Sequence, residues 1–315
     1  MGFLLATCTA LPVLADKEGM PDLCQEDQTC LPTSTANLII WFGDHGYPKL
    51  IQPGDSKDNG YIHTIHAIMG ATNANYDFGT RTDAITYGIE KYIHSAGYGC
   101  DVEYRGLDWS QAKFPNLVKD DEGDLYRKDF KPPLAFSQDW LKENDDPNKG
   151  FILLLAYVKF DQTRSVFTNA FNAGHAVALI NAEPDMILID DSAHYQDEPG
   201  RKILTPEILT GGTFQLPGYA APVAGLMLLS GSLLEAPPDA GVLLTGAVCI
   251  SMHPANETSN VAAAAPVVGS GSAVGVSPGT TPAAAPAPAT TKPTAAPDAA
   301  SKSWALWLFD LVFSK

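Results

Sequence analysis

Apolar residues change their spacing partway along the chain. Between Leu31 and Ser95 they recur every three or four residues, the period of one helix face. Leu38, Ile39, Trp41 and Phe42 predict a buried helix over 32–42. Pro32 stands in its first turn, where a missing N–H costs no hydrogen bond, and Gly43 stops it. A second helix is expected over 61–69. A third is expected over 81–95, where Ile85, Ile89, Tyr92 and Ile93 share a face, Thr80 and Asp83 form a capping box and Gly97 ends the run. The stretch 101–149 is polar, aromatic and irregular, with one short helix near 136–143. From Gly150 the apolar residues come in dense runs bounded by turn residues, at 151–160, 175–181, 185–191, 225–231 and 241–252. These read as strands, with Pro184-Asp185 as one turn and a hairpin around Pro237-Pro238 joining the last two. Helices first and strands afterward predict an α+β domain.

Composition divides the chain further. Residues 1–15 are a short apolar run ending in Val13-Leu14-Ala15, ahead of charged Asp16 and Lys17. That is the pattern of a secretory signal cleaved after Ala15, so a secreted, periplasmic or cell-surface protein is expected. Residues 16–254 mix residue types as a globular domain does and are long enough for one substantial core. Residues 255–302 are rich in Ala, Pro and Thr and read as a disordered linker. The tail 303–315 is apolar but is broken by Asp310. It is too short to span a bilayer, and peripheral contact with a membrane or a partner is expected of it.

A formal net charge of -16 argues against binding nucleic acid, which needs Lys and Arg against phosphates. The five cysteines show no CxxC spacing. His63 and His66 lie three apart without a supporting Glu or Cys, so neither a metal nor a cofactor is expected.

A thiol is a nucleophile only as thiolate, and a helix N-terminus and a nearby imidazolium both favour that form. Cys30 enters the first predicted helix. His175, after Asn172-Ala173-Gly174 and at the expected entry of a strand, is the best placed of the seven histidines. The next strand ends at Asp190-Asp191, and a tight antiparallel turn returns that end beside His175. Asp190 directly ends the apolar run and is expected to orient the imidazole, with Asp191 on the opposite face. The backbone N–H of Cys30, with Gln25 or Gln28 just upstream, offers donors for an oxyanion hole. Tyr104, Trp109 and Trp140 fit a substrate cleft and a core equally well.

The string Cys30-Leu-Pro-Thr-Ser-Thr-Ala-Asn-Leu, with Gly174-His175-Ala-Val-Ala-Leu and Ile-Leu-Ile-Asp190 later, resembles the bacteriocin-leader-processing (double-glycine) peptidases and their exported papain-like relatives. The resemblance covers about 25–191. It implies a papain-like cysteine-peptidase fold, with N-terminal helices carrying the nucleophile packed on a C-terminal antiparallel sheet. It also implies Cys30 as nucleophile, His175 as base, Asp190 as orienting carboxylate and a glutamine, Gln25, in the oxyanion hole. The sequence departs from that pattern at Leu31, where the family has Gly, and at Cys24, where the family has its glutamine. The expected function is an exported cysteine hydrolase cleaving amide bonds in a peptide or protein substrate. Two further readings fit the same residues: an amidase or acyltransferase on cell-wall or other peptides, and a catalytically inactive domain that binds peptides.

Overall fold

Three helices precede the strands, as the periodicity predicts: α1 (Cys30–Asp44), α2 (Ile62–Ala71) and α3 (Thr82–Ser95). Then come β1 (Cys100–Gly106), the short α4 (Gln138–Leu141), β2 (Lys149–Asp161), β3 (Val166–Glu183), β4 (Met186–Asp190), β5 (Arg201–Ile208), β6 (Thr213–Leu216), β7 (Tyr219–Pro222), β8 (Met227–Ser230) and β9 (Gly241–Met252). The computed structural model describes residues 17–26, 28–74, 76, 80, 82–107, 137–162, 165–194, 198–216, 218–231, 233 and 240–254, without the side chains of 82–83 and 170–173, all within a compact unit, Met1–Ser259. The signal expected over 1–15, Trp109, the turn expected at Pro237-Pro238, and the expected linker and tail lie outside the described residues. No helix among the described residues is long and apolar enough to cross a membrane.

The fold is mixed α and β, built on one large sheet. β2 pairs with β3, β3 with β4, β4 with β5, β5 with β8, β8 with β9 and β9 with β2, all antiparallel, so six strands close into a ring. β1 adds to the outer edge of β9, and β6 and β7 extend β3. Side chains alternate across each strand. Phe151, Leu153, Leu155 and Tyr157 of β2 turn into the ring beside Val177, Leu179, Ile187 and Ile189. Ile152 and Leu154 turn outward with Ala176, Ala178 and Ile180 to meet α1. β2 is thus buried on both faces, which is why its sequence is a continuous apolar run.

Every residue of α1 from Leu31 to Gly43 is buried. A helix apolar nearly all round belongs in a core. Fully burying each of Leu38, Ile39, Ile40 and Phe42 contributes about 1.5–3 kcal/mol. That outweighs the poor helix propensity of the β-branched residues among them. Close approach to the ring depends on Gly150, where an added Cβ would sit 2.4 Å from Leu38 Cδ1.

The structure departs from the sequence expectations in three places. The stretch read as irregular holds β1, an edge strand whose outer side is solvated and whose sequence is therefore mixed. β5, β6 and β7 were not expected, because they are short or bury few side chains. β3 starts at Val166, so His175 lies inside a strand and not at its entry. The ladder from β3 to β2 breaks between Ala156 and Val158, and Gly174 and His175 stand where it resumes. Tyr104 and Trp140 are core residues; Trp140 packs edge-on against Phe151 with centroids 4.9 Å apart.

Candidate active site

Four segments converge at the start of α1. Cys30 is the first residue of the helix and is half-buried. The first four N–H groups of a helix have no partner within it, so the thiol and its own backbone N–H sit at the positive end. Thr29 closes the preceding turn: its hydroxyl accepts from the N–H of Glu26 at 2.9 Å, and its carbonyl accepts the N–H of Thr33 at 2.9 Å.

The thiol of Cys30 lies close enough to the imidazole of His175 to raise its pKa. On the far side of the ring, Nε2–H donates to Asp191 Oδ1 at 2.7 Å, with both side chains about 1% exposed. That bond commits Nε2 to the carboxylate and holds the orientation of the ring. The ring stacks on Tyr157, with centroids 6.3 Å apart and planes at 20°. Burial by itself pulls the His175 pKa down. The hydrogen bonds to Asp191 and Cys30, with their charges, outweigh it and push the value up to about 10. Burial pushes Asp191 up, but the bonds and charge of His175, the Ala193 N–H and Lys202 hold it below the usual carboxylate range. Both shifts favour the imidazolium and the carboxylate.

The carboxylate that meets His175 is therefore Asp191, and the expectation of Asp190 is corrected. The reason is strand parity. Leu179 stands opposite Ile189, and both face the inside of the ring; Ala178 stands opposite Asp190, and both face α1. One residue further, Asp191 turns back to the inner face, the side of Val177 and His175. Diagonal neighbours on one face of an antiparallel pair are within reach of long side chains. Asp190 instead accepts a hydrogen bond from Asn37 Nδ2 on α1 at 2.8 Å.

Gln25 lies on the strand-like strap that leads into α1. Its N–H donates to the carbonyl of Ser192 at 2.8 Å, and its Oε1 accepts from Ser192 Oγ at 3.1 Å. The Gln25 side chain is thus held against Ser192. Ser192 Oγ is 3.3 Å from Ser34 Oγ, and Ser34, one turn past Cys30, donates to the carbonyl of Ala176 at 2.8 Å. Sequence reasoning missed Ser34, Asn37 and Ser192. The signal for the first two was polar residues inside a helix otherwise apolar all round, since buried polar groups need partners.

Burial pushes Cys100 up to about 12 and Cys249 up to about 11. Cys24 is raised by burial and by the nearby Asp22 and Glu26, and its Sγ lies 2.7 Å from the carbonyl of His194. All four described cysteines are free. His63 bonds Asp55 at 2.7 Å and His66 bonds Tyr76 at 3.0 Å, and no metal-binding group of three or more ligands occurs among the described residues. A cavity of about 400 Å³ opens between the strap and α2, with Leu23, Ile62 and Ile65 inside and Asp22 and Glu26 at its acidic side. It reaches Thr29 and Thr33 of α1, but neither Cys30 nor His175 lines it.

No family model matches the chain, and no curated protein matches its sequence.

Proposed function

We propose that this chain is a papain-like cysteine hydrolase that cleaves amide bonds in peptides, with Cys30 as nucleophile, His175 as acid and base, and Asp191 as the orienting carboxylate. The observation that carries the reading is the convergence of three separate elements: an imidazole on β3 hydrogen-bonded to a carboxylate after β4, with the thiol at the start of α1 near enough to raise the imidazole pKa. The chain order Cys, His, Asp and the packing of a thiol-bearing helix against a closed antiparallel sheet support the papain-like reading of the fold. The run ending at Ala15 supports an exported protein.

In this mechanism the Cys30 sulfur attacks the carbonyl carbon of the substrate. The negative oxygen that forms is held by the Cys30 N–H and the Gln25 side-chain amide. As the C–N bond breaks, His175 gives its proton to the departing amine. A thioester remains. Water then attacks it while His175 takes a proton from that water, and the thiol is regenerated. Asp191 keeps the ring aimed at the sulfur and stabilises its charge throughout.

The test is iodoacetamide alkylation of Cys30 across pH, alongside turnover of a mixed fluorogenic peptide library. A thiolate present well below the unperturbed thiol pKa of about 8.5, and turnover abolished in folded Cys30→Ala, are the expected results. A thiol titrating at its ordinary value, or turnover that survives Cys30→Ala, overturns the proposal.

A further inference from the structure

Two neighbouring carboxyls, one at the end of β4 and one just beyond it, face opposite ways, and the imidazole uses only one. Asp190 is fully buried, and so is Asn37, about two helical turns beyond Cys30. Asn37 bridges three segments. Its Nδ2 donates to Asp190 Oδ1 at 2.8 Å, and its Oδ1 accepts the N–H of Leu23 on the strap at 3.2 Å. The strap runs on to Gln25, the helix begins at Cys30, and the strand residue beside Asp190 is Asp191. This single buried contact therefore ties together the elements that carry the proposed nucleophile, orienting carboxylate and oxyanion donor.

We propose that Asp190 is a positioning residue for this site and acts as the neutral acid, pinning α1 and the strap to the end of β4. The inference rests on the reading of Cys30, His175 and Asp191 given above. Asp190 Oδ2 is buried with no hydrogen-bond partner among the described residues. An ionised carboxyl there would be a buried charge short of donors, which is strongly unfavourable. The groups facing it point the same way. Burial acts first, Asp22 on the strap and Asp191 just past the end of β4 repel a second charge, and only Arg201 across the ladder on β5 and the Asn37 bond favour one. The net effect keeps the proton on Asp190 up to about pH 8. Above that, an unpaired charge enters the contact between α1 and β4, and the thiol and imidazole lose their shared frame.

Asp190→Asn separates the two roles, because it keeps an oxygen for Asn37 and cannot ionise. Peptide turnover and Cys30 alkylation would be followed against pH in the full chain, for wild type and variant. Wild-type turnover is expected to fall above about pH 8, with a step in alkylation at the same pH. In Asp190→Asn both features should move toward the His175 range near 10, with the neutral-pH rate of wild-type order. Asp190→Ala, which breaks the Asn37 bond, should lose on the order of 100-fold in kcat, the effect of misplacing reacting groups by about an ångström. An Asp190→Asn profile that keeps the limb near pH 8, or a folded Asp190→Ala at full rate, overturns the inference. If no peptide is cleaved but the alkylation step moves in Asp190→Asn, the hydrolase reading fails and this inference stands. If peptides are cleaved and the limb does not move, the hydrolase reading stands and this one fails.

Discussion

Replacing Asp191 by asparagine removes the carboxylate under His175 and leaves the shape of the side chain almost unchanged. In the wild type the His175 pKa rises from its ordinary 6.5 to about 10, against the effect of burial. The rise is what remains after burial has opposed it, so the attraction from Asp191 and Cys30 together more than offsets the desolvation of the imidazolium. Asparagine carries no charge, so burial prevails and the ring becomes neutral at neutral pH. The thiolate then loses its counter-charge. The asparagine amide can also present N–H to Nε2 and trap the wrong tautomer, a change that costs on the order of 10,000-fold in kcat in an analogous serine triad. Iodoacetamide alkylation at about pH 6 is the direct assay, because it reads the thiolate without needing a substrate. The stability of the pair has its own pH signature. The His175 contribution is fully present below 6.5 and is lost as pH rises through about 10; the Asp191 contribution is present above 3.8 and is lost as pH falls below it. Urea unfolding of wild type should therefore show its largest excess over Asp191→Asn between those limits, near pH 4–6.5. An Asp191→Asn variant that alkylates at the wild-type rate at about pH 6, or that shows no such excess, refutes the argument.

Three further outcomes follow from the same structure. Gln25→Ala should reduce kcat by about 100- to 1,000-fold, with iodoacetamide alkylation unchanged, since alkylation forms no oxyanion; steady-state kinetics beside alkylation rates check this. Gly150→Ala should destabilise the fold by about 1–3 kcal/mol, because the new Cβ overlaps Leu38 and pushes α1 away from β2; chemical denaturation measures it. Lys17 is buried over the Trp41 ring, 4.1 Å from its centroid, with Nζ donating to the Asp146 carbonyl at 3.0 Å; burial lowers its pKa to about 8, against the pull of Asp146 and Asp145. Its burial penalty is fully present below pH 8 and fades by 10.5, so wild-type stability should gain from this group across that window. Lys17→Met should remove that gain in urea unfolding followed from neutral to alkaline pH.

The sequence by itself determined the helical half of the domain, the main strands and three residues of the candidate site, Cys30, His175 and Gln25. Periodicity of 3.6 in 31–95 and dense apolar runs after 150 are local signals, because each element must bury one face or both. The hairpin turn at Pro184-Asp185 was legible for the same reason; Glu183 pairs with Met186 across it. Cys30 stood at a helix start and His175 beside a strand, and the fold brings the two together. What the sequence did not contain was the face. Asp190 and Asp191 differ by one position, and one position in a strand reverses the side chain. Which carboxyl meets the imidazole depends on the pairing of Leu179 with Ile189 and on which side of the ring α1 covers. Both are settled only when strands far apart in the chain close on one another. The same holds for β1, β5, β6 and β7, which borrow stability from neighbours and carry little pattern of their own. It holds too for Ser34, Asn37 and Ser192, whose partners lie more than a hundred residues away for the serines and for Asn37 with Asp190. Apolar burial is written residue by residue along the chain; the pairing of buried polar groups is decided by geometry that only the closed sheet supplies.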